Sequence, residues 1–505
     1  MEPCTLYNEG VNSMHILETS YCSDKYQYTM GKTFHDLGLE NKRAVFNLFY
    51  RSAPDKNNWA VVSGVEQAIE MVKALGGQEE SFFEKFLPGE EYSSYRKYLA
   101  NMKFTGNIYA MEEGEIAFPT QPVITVEGPL IEAQVLETPL LTIMNHQMAI
   151  ATKASRVTRS TSKPVSEFGS RRAHGPWAAI YGAKAAYIGG CSSTSNILTS
   201  QKFGVPVTGT MAHSFITAFG CTIAGELEAF NAYIKTHFGE PLILLVDTYD
   251  TLRCGVKNAI KAFKQNGVDD SYPASFGIRL DSGDLTYLSI KTREMLDDAG
   301  LRKCRIFATN SLDEYIIAEI ERQGAMIDSY GVGDAIATSK HNPCFGNVYK
   351  LVEIDGTGVL KRSEDKSKAI NPGFQITYRI ISNGHFKGDI TCLRGDATSQ
   401  KIENGEEFTL RDEFDDTKIT SIRAGSYTYK TLQNPVMQGG EIIIKGKPVA
   451  ERRNYYLSNL QCLNETQTRL INPHFYKVDI SDELYDLKNG LIESLINEIK
   501  NFNEE

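Results

Sequence analysis

The sequence predicts an α/β protein whose central segment builds a parallel sheet and whose two flanking segments are richer in separate strands. Three observations carry this. Between about 164 and 340, short apolar runs alternate with helical stretches, the strand–loop–helix rhythm of a parallel sheet, open or closed into a barrel. On either side the rhythm changes to strand-like pieces punctuated by Gly and Pro and mixed with helices. The 505 residues, 41% hydrophobic and 23% charged, have the composition of a soluble globular protein. A chain of that length buries a large core and divides into two or three domains.

The first zone, 1–135, holds AVFNLFY (44–50), WAVVSG (59–64) and the alternating stretch GNIYAMEEGEIAFPTQPVITVEGPL (106–130). The periodic segment 131–160 then reads as mostly helical. In the second zone, 136–345, the strand candidates are PVSEFGS (164–170), PVTGT (206–210), LILLVDT (242–248), SFGIRLD (275–281), CRIFATN (304–310) and DSYGVG (328–333). Helical stretches such as 252–267 and 285–300 separate them. The third zone, 346–505, returns to strands in NVYKLVEI, FQITYRIIS and GEIIIKGK and closes with a helix over 482–501. The charged loop KRSEDKSK (361–368) reads as solvated surface.

A net charge of −10 argues against a general nucleic-acid binder, which needs basic stripes to neutralise phosphates. Small anionic ligands stay compatible with it, since local arginines outweigh an acidic total. The nine cysteines are scattered without a CxxC pair, which suits a reducing compartment. The start MEPCTLYNEG has neither the basic nor the apolar part of a secretory signal, and no apolar run is long enough to span a bilayer. The expected location is the cytoplasm, with no membrane partner.

Several central runs end in polar residues, and in barrels the C-terminal strand ends form the active face. RLDSGD (279–284) places Arg279, a fork for carboxylate or phosphate, beside Asp281 and Asp284, which suit a metal or a ribose hydroxyl. An ion-pair network explains the same three residues equally well. TNSLDE (309–314) and GVGD (331–334) offer backbone N–H groups and helix starts for a phosphate. EFGSRRAHG (167–175) brings Phe168 together with Arg171 and Arg172, a combination suited to a flat anionic heterocycle. In GTMAHSF (209–215), His213 stands beside a glycine turn, Thr210 and Ser214. Taken alone it reads as a hydrogen-bonded structural histidine or as a reactive imidazole. An amphipathic helix follows, about 215–233, with Phe215, Phe219, Ile223, Leu227 and Phe230 as its core stripe. P-loop, GxGxxG, HExxH and GxSxG motifs are missing; GKT at 31–33 has Tyr26 where the leading glycine of a P-loop belongs.

In order, DKYQYTM (24–30), EFGSRRAHGP (167–176), GGCSSTSN (189–196), GTMAHSF (209–215), VDTYDT (246–251), IRLDSGDL (278–285), ATNSLDE (308–314) and GNVYKL (346–351) resemble the nicotinate phosphoribosyltransferases over roughly 15–480. The resemblance implies an incomplete TIM-like α/β barrel with a second α+β domain formed by the two chain ends. It implies a homodimer with shared active sites. The implied reaction joins nicotinate to 5-phosphoribosyl 1-diphosphate, with ATP hydrolysis and Mg²⁺, and yields nicotinate mononucleotide, pyrophosphate, ADP and phosphate.

Carried over by motif, the resemblance makes His213 the histidine that ATP phosphorylates and Asp247 the carboxylate that orients it. Asp281 becomes an acid near the ribose and leaving group, while Arg279 and Thr210 become nicotinate contacts. Phe168 stacks on the pyridine against Tyr26 from the second subunit, and Arg171 meets diphosphate or carboxylate. Asn310, Gly333 and Thr338 belong to loops that hold the 5-phosphate. Metal ligands are left unassigned. Cys191-Ser192 stand where relatives often place an aspartate beside the pyridine. The alternatives are a nicotinamide phosphoribosyltransferase, which shares fold and phosphohistidine, and a catalytically silent binding homologue. Quinolinate phosphoribosyltransferases are much shorter and use no ATP.

Overall fold

The structure, a computed structural model, describes residues 19–362, 370–413, 415 and 417–504. The N-terminal stretch and most of the lysine-rich 361–368 segment lie outside the described residues. The chain divides into two compact units, one of Met1–Ala149, Cys344–Lys447 and Asn454–Glu505, the other of Ile150–Pro343 and Pro448–Arg453.

In the second unit six strands form an all-parallel sheet in the order Ser193–Thr194, Val165–Glu167, Ser329–Val332, Arg305–Ala308, Phe276–Leu280, Leu242–Leu245. The two outer strands do not pair with each other, so the sheet is open. Its inner strands are largely buried because helices cover a parallel sheet on its faces; Phe276–Leu280 is buried at every position, Arg279 included. The run at 206–210 does not become a full strand. Pro206 has no N–H and Gly209 no side chain to pack, and only Val207 bridges to Thr194.

The helix expected over 215–233 is two helices, His213–Thr217 and Ile223–Thr236, separated at Gly220. Gly220 takes φ 95°, a left-handed conformation that ends a helix. The Thr222 hydroxyl then accepts from Gly225 N–H and starts the second helix afresh. Phe230 is buried in the core as expected, but Ile223 is 60% exposed.

In the first unit a seven-stranded sheet is built from both chain ends. Arg43–Tyr50 sits between Asn347–Ile354 and Ile124–Pro129, all antiparallel. Phe46 stacks on Tyr349 at 4.8 Å across that pairing. A second, six-stranded sheet comes from the C-terminal part and contains Gln375–Ser382 and His385–Leu393. The segment 131–160 is a short helix, Leu130–Gln134, followed by Glu137–Arg159. Pro139 falls in the first turn of the longer helix, where its missing N–H costs nothing. Leu140, Ile143, Met144 and Met148 of that helix pack into the first unit's core. The boundary between the two units falls after Ala149, inside the helix Glu137–Arg159, whereas 135 lies in the turn between the two helices.

Candidate active site

Parallel register gathers the site. Leu245 pairs with Arg279, Ala308 with Leu280, Val332 with Glu167 and Glu167 with Thr194, so the C-terminal ends of the strands align. The residues just beyond those ends leave the sheet on one edge. Two adjoining cavities of about 360 and 370 Å³ lie there and share Phe168, Arg171, Arg279 and Asp281. One continues to Asn310, Ser311, Gly331 and Gly333. The other continues to Thr210, Met211, Ser195 and His213.

Arg279 is the hub. Its Nε donates to Thr309 Oγ1 (2.8 Å), Nη1 to Thr210 Oγ1 (3.1 Å) and the Met211 carbonyl (3.2 Å), and Nη2 to Asp281 Oδ1 (2.8 Å). The bidentate fork expected from the sequence is thus already engaged by the protein, and one N–H of Nη2 is left for a ligand. Burial works against ionisation of Asp281. The Thr309 hydroxyl bond and the Arg279 charge outweigh it and hold the carboxyl below its usual range.

His213 opens its short helix with its side chain 43% exposed. Nδ1 lies 3.1 Å from Thr248 Oγ1, while Nε2 faces Asp281 Oδ2 at 3.7 Å and Asp247 Oδ1 at 3.9 Å. Asp247 is buried, and its Oδ2 accepts from Asp281 N–H (3.1 Å) and Ser282 Oγ (2.6 Å). The 247–250 loop is set by close packing behind it. A Cβ on Gly255 would stand 1.7 Å from the Val246 carbonyl oxygen, so only glycine lets that turn approach.

Phe168 leaves its strand with its N–H bonded to the Val332 carbonyl and its ring edge-on to Phe307 at 5.6 Å. Buried Glu167 accepts from Gly169 N–H and from Thr194 Oγ1 and so fixes the turn carrying Phe168 and Arg171. Burial pushes the Glu167 carboxyl up. Gly331 has a packing reason: a Cβ there would meet Thr309 Cγ2 at 2.7 Å and the Phe168 ring at 3.0 Å. Asn310 and Ser311 both hold positive φ, 92° and 46°, the kind of backbone strain that collects at ligand sites.

Three groups picked out in the sequence have other places or partners. Asp284 lies outside both cavity linings and caps the helix Leu285–Asp298 by accepting from Tyr287 N–H. The helix start after TNSLDE is not free for phosphate, because Asp313 already accepts from Tyr315 and Ile316 N–H and pairs with Lys340 at 3.0 Å. Cys191 and Ser192 stand at the N-terminal end of the sheet, where Ser192 N–H bonds the Val165 carbonyl. Ser195, at the opposite end, is the residue of that motif that lines a cavity.

Of the other expected residues, Thr338 lies outside both cavity linings and its hydroxyl bonds the Asp334 carbonyl. Tyr26 belongs to the first unit, on the helix Lys25–Asp36, 47% exposed. Thr309, Thr248 and Ser282 were not singled out from sequence. Hydroxyl residues are common in turns, and only the partners across the sheet edge distinguish these three.

An arginine, two carboxylates, an aromatic ring and an imidazole on one edge of a parallel sheet define an α/β protein with a polar candidate ligand site at its strand ends. Residues 22–145 match the nicotinate phosphoribosyltransferase (NAPRTase) N-terminal domain and residues 374–488 the nicotinate phosphoribosyltransferase C-terminal domain. The chain is 38% identical over 475 residues to a nicotinate phosphoribosyltransferase of Bacillus subtilis, covering 92% of this chain and 94% of that one. It is 33% identical over 541 residues to one of Dictyostelium discoideum, covering 96% and 90%. The crystal structure of human nicotinic acid phosphoribosyltransferase matches with a TM-score of 0.80 at 26% identity, over 93% of this chain and 99% of that one. The chain belongs to the nicotinate phosphoribosyltransferase family.

Proposed function

We propose that this chain transfers the phosphoribosyl group of 5-phosphoribosyl 1-diphosphate to nicotinate, coupled to ATP through His213. The observation that carries the reading is the shared cavity edge, where Arg279, Thr210 and Phe168 suit a carboxylate-bearing pyridine. The pyridine nitrogen attacks C1 of the ribose, the C1–O bond to diphosphate breaks, and nicotinate mononucleotide and pyrophosphate result. The ribosyl transition state is cationic, so positioning and charge stabilisation do most of the work. Asp281 supplies negative charge near C1, and Arg171 and Arg172 receive the diphosphate. Asn310, Gly333 and Thr338 belong to the loops around the 5-phosphate. Read this way, the open six-stranded sheet is an incomplete TIM-like barrel.

For ATP coupling, the carboxylates of Asp247 and Asp281 favour the proton on Nε2 of His213. That leaves Nδ1, beside the Thr248 hydroxyl, with the nucleophilic lone pair. Nδ1 attacks the terminal phosphorus of ATP, the bond to ADP breaks, and water later releases phosphate from the imidazole. Among the described residues no group of three His, Cys, Asp or Glu side chains could hold a metal. In this reading Mg²⁺ is carried by the substrates' phosphates, and no step is routed through a resident ion. Two copies sharing their sites, each lending Tyr26 to the other, complete the proposal. Among the described residues no helix is long and apolar enough to cross a membrane.

The test is a product assay with 5-phosphoribosyl 1-diphosphate, Mg²⁺ and ATP, run in parallel with nicotinate and nicotinamide. Mononucleotide from nicotinate alone, with ADP released, is the expected result. Turnover of nicotinamide instead moves the chain to the amide-using enzymes, and turnover of neither makes it a binding homologue.

A further inference from the structure

We infer that Thr309 is a positioning residue, which closes the side-on fork of Arg279 and thereby sets the edge from which the guanidinium meets a substrate carboxylate. The inference rests on the nicotinate reading of the Arg279 site. It starts from proton bookkeeping around one hydroxyl. Thr309 Oγ1 lies 2.8 Å from Arg279 Nε, in short contact with Asp281 Oδ1, and 3.4 Å from the Leu280 carbonyl. An arginine has donors only, so Oγ1 must accept from Nε. The single hydroxyl proton then goes to the Asp281 carboxylate, which is both nearer and charged.

The result is a closed ring: Arg279 Nε to Thr309, Thr309 to Asp281 Oδ1, Asp281 Oδ1 back to Arg279 Nη2. Nε and Nη2 form the side-on edge of a guanidinium, the edge on which a carboxylate docks with both oxygens. Without the hydroxyl, Asp281 itself would take that edge with both oxygens. Its Oδ2 would then turn away from His213, which it faces at 3.7 Å, and the last free N–H of Nη2 would change direction. Thr309 is buried, and its methyl packs where a Cβ on Gly331 would stand, so the hydroxyl has a defined place.

The experiment compares wild type, Thr309→Val, which keeps the shape and loses the hydroxyl, and Thr309→Ser, which keeps the hydroxyl and loses the methyl. Steady-state rates are measured against nicotinate and, separately, against 5-phosphoribosyl 1-diphosphate. The expectation is that Thr309→Val raises the KM for nicotinate by about 10-fold or more, the scale of one lost charge-assisted hydrogen bond. Its KM for 5-phosphoribosyl 1-diphosphate should stay within about threefold, and Thr309→Ser should stay within about threefold of wild type for both. A Val variant with the wild-type KM for nicotinate overturns the inference, and so does a Ser variant as impaired as Val, which would assign the effect to methyl packing. If Thr309→Val does not fold, Thr309→Ala carries the same expectation and the same refutation. Wild-type protein that does not use nicotinate refutes the functional reading instead, so the two failures are told apart.

Discussion

Arg279→Ala tests the centre of the site most directly. The substitution removes a guanidinium that donates to Thr309, Thr210, Met211 and Asp281 and that is only 9% exposed. A hydrogen bond to a charged group contributes about 1.5–3 kcal/mol, and each 1.36 kcal/mol is a decade, so the KM for nicotinate should rise by roughly 10- to 100-fold. Stability falls as well. Breaking a buried ion pair costs about 3–5 kcal/mol, but Asp281 keeps its Thr309 bond and a partly solvated face, so about 1–3 kcal/mol is expected here. The pH dependence has a definite sign. Asp281 is held below its usual range in the folded protein, so its contribution is present above the ordinary carboxyl pKa and is lost as pH falls through the lower folded value. Without Arg279 the folded value moves back up. The variant's deficit is therefore full at pH 7 and shrinks below about pH 4. Initial rates at saturating 5-phosphoribosyl 1-diphosphate and ATP give the KM, and urea unfolding at pH 7 and pH 3.5 gives the stability. An unchanged KM removes Arg279 from the carboxylate contact. A deficit that is the same at both pH values refutes the ion pair as its source.

Other outcomes follow from the same geometry. His213→Ala should abolish stimulation by ATP while leaving slow ATP-independent mononucleotide synthesis; an intact ATP response would take the phosphoryl group off this histidine. Asp313→Ala removes the acceptor for two helix N–H groups and the partner of Lys340, and should cost about 1–2 kcal/mol in urea unfolding at pH 7. Burial opposes ionisation of Asp313, but the helix N–H bonds and Lys340 hold its carboxyl low, so this loss should fade as pH drops through the carboxyl range. In the other unit, Arg379→Met removes the cation paired with buried Asp389, while Glu115 keeps Lys430, and should destabilise by about 3–5 kcal/mol; wild-type urea resistance would show that the cluster tolerates loss of this arginine.

Legibility from sequence follows the range of the forces involved. The parallel sheet was readable because strand, loop and helix repeat locally, and because strands buried on both faces are mostly apolar. His213, Asp247, Arg279 and Asp281 could be singled out as ionisable groups at the ends of such runs, where burial is costly without partners. The ordered motifs carried the family. What a linear reading lacked was competition between local and distant partners. Asp284 looks like a ligand in sequence and the 309–314 turn like a phosphate cradle, yet Asp284 and Asp313 each lie next to helix N–H groups that need an acceptor, and that demand is met first. The single helix expected after His213 ignored the left-handed turn at Gly220.

The sequence by itself determined the α/β class, the alternation that makes a parallel sheet, and the charged residues at its strand ends. Only the tertiary structure decided how those charges are shared. Thr309 closes the Arg279–Asp281 ring from a neighbouring strand, and Thr248 meets His213 across 35 residues of chain. Hydrogen bonds act over about 3 Å, and which hydroxyl stands that close depends on sheet register and on the exit angle of each loop. Neither quantity is written in any local stretch of residues.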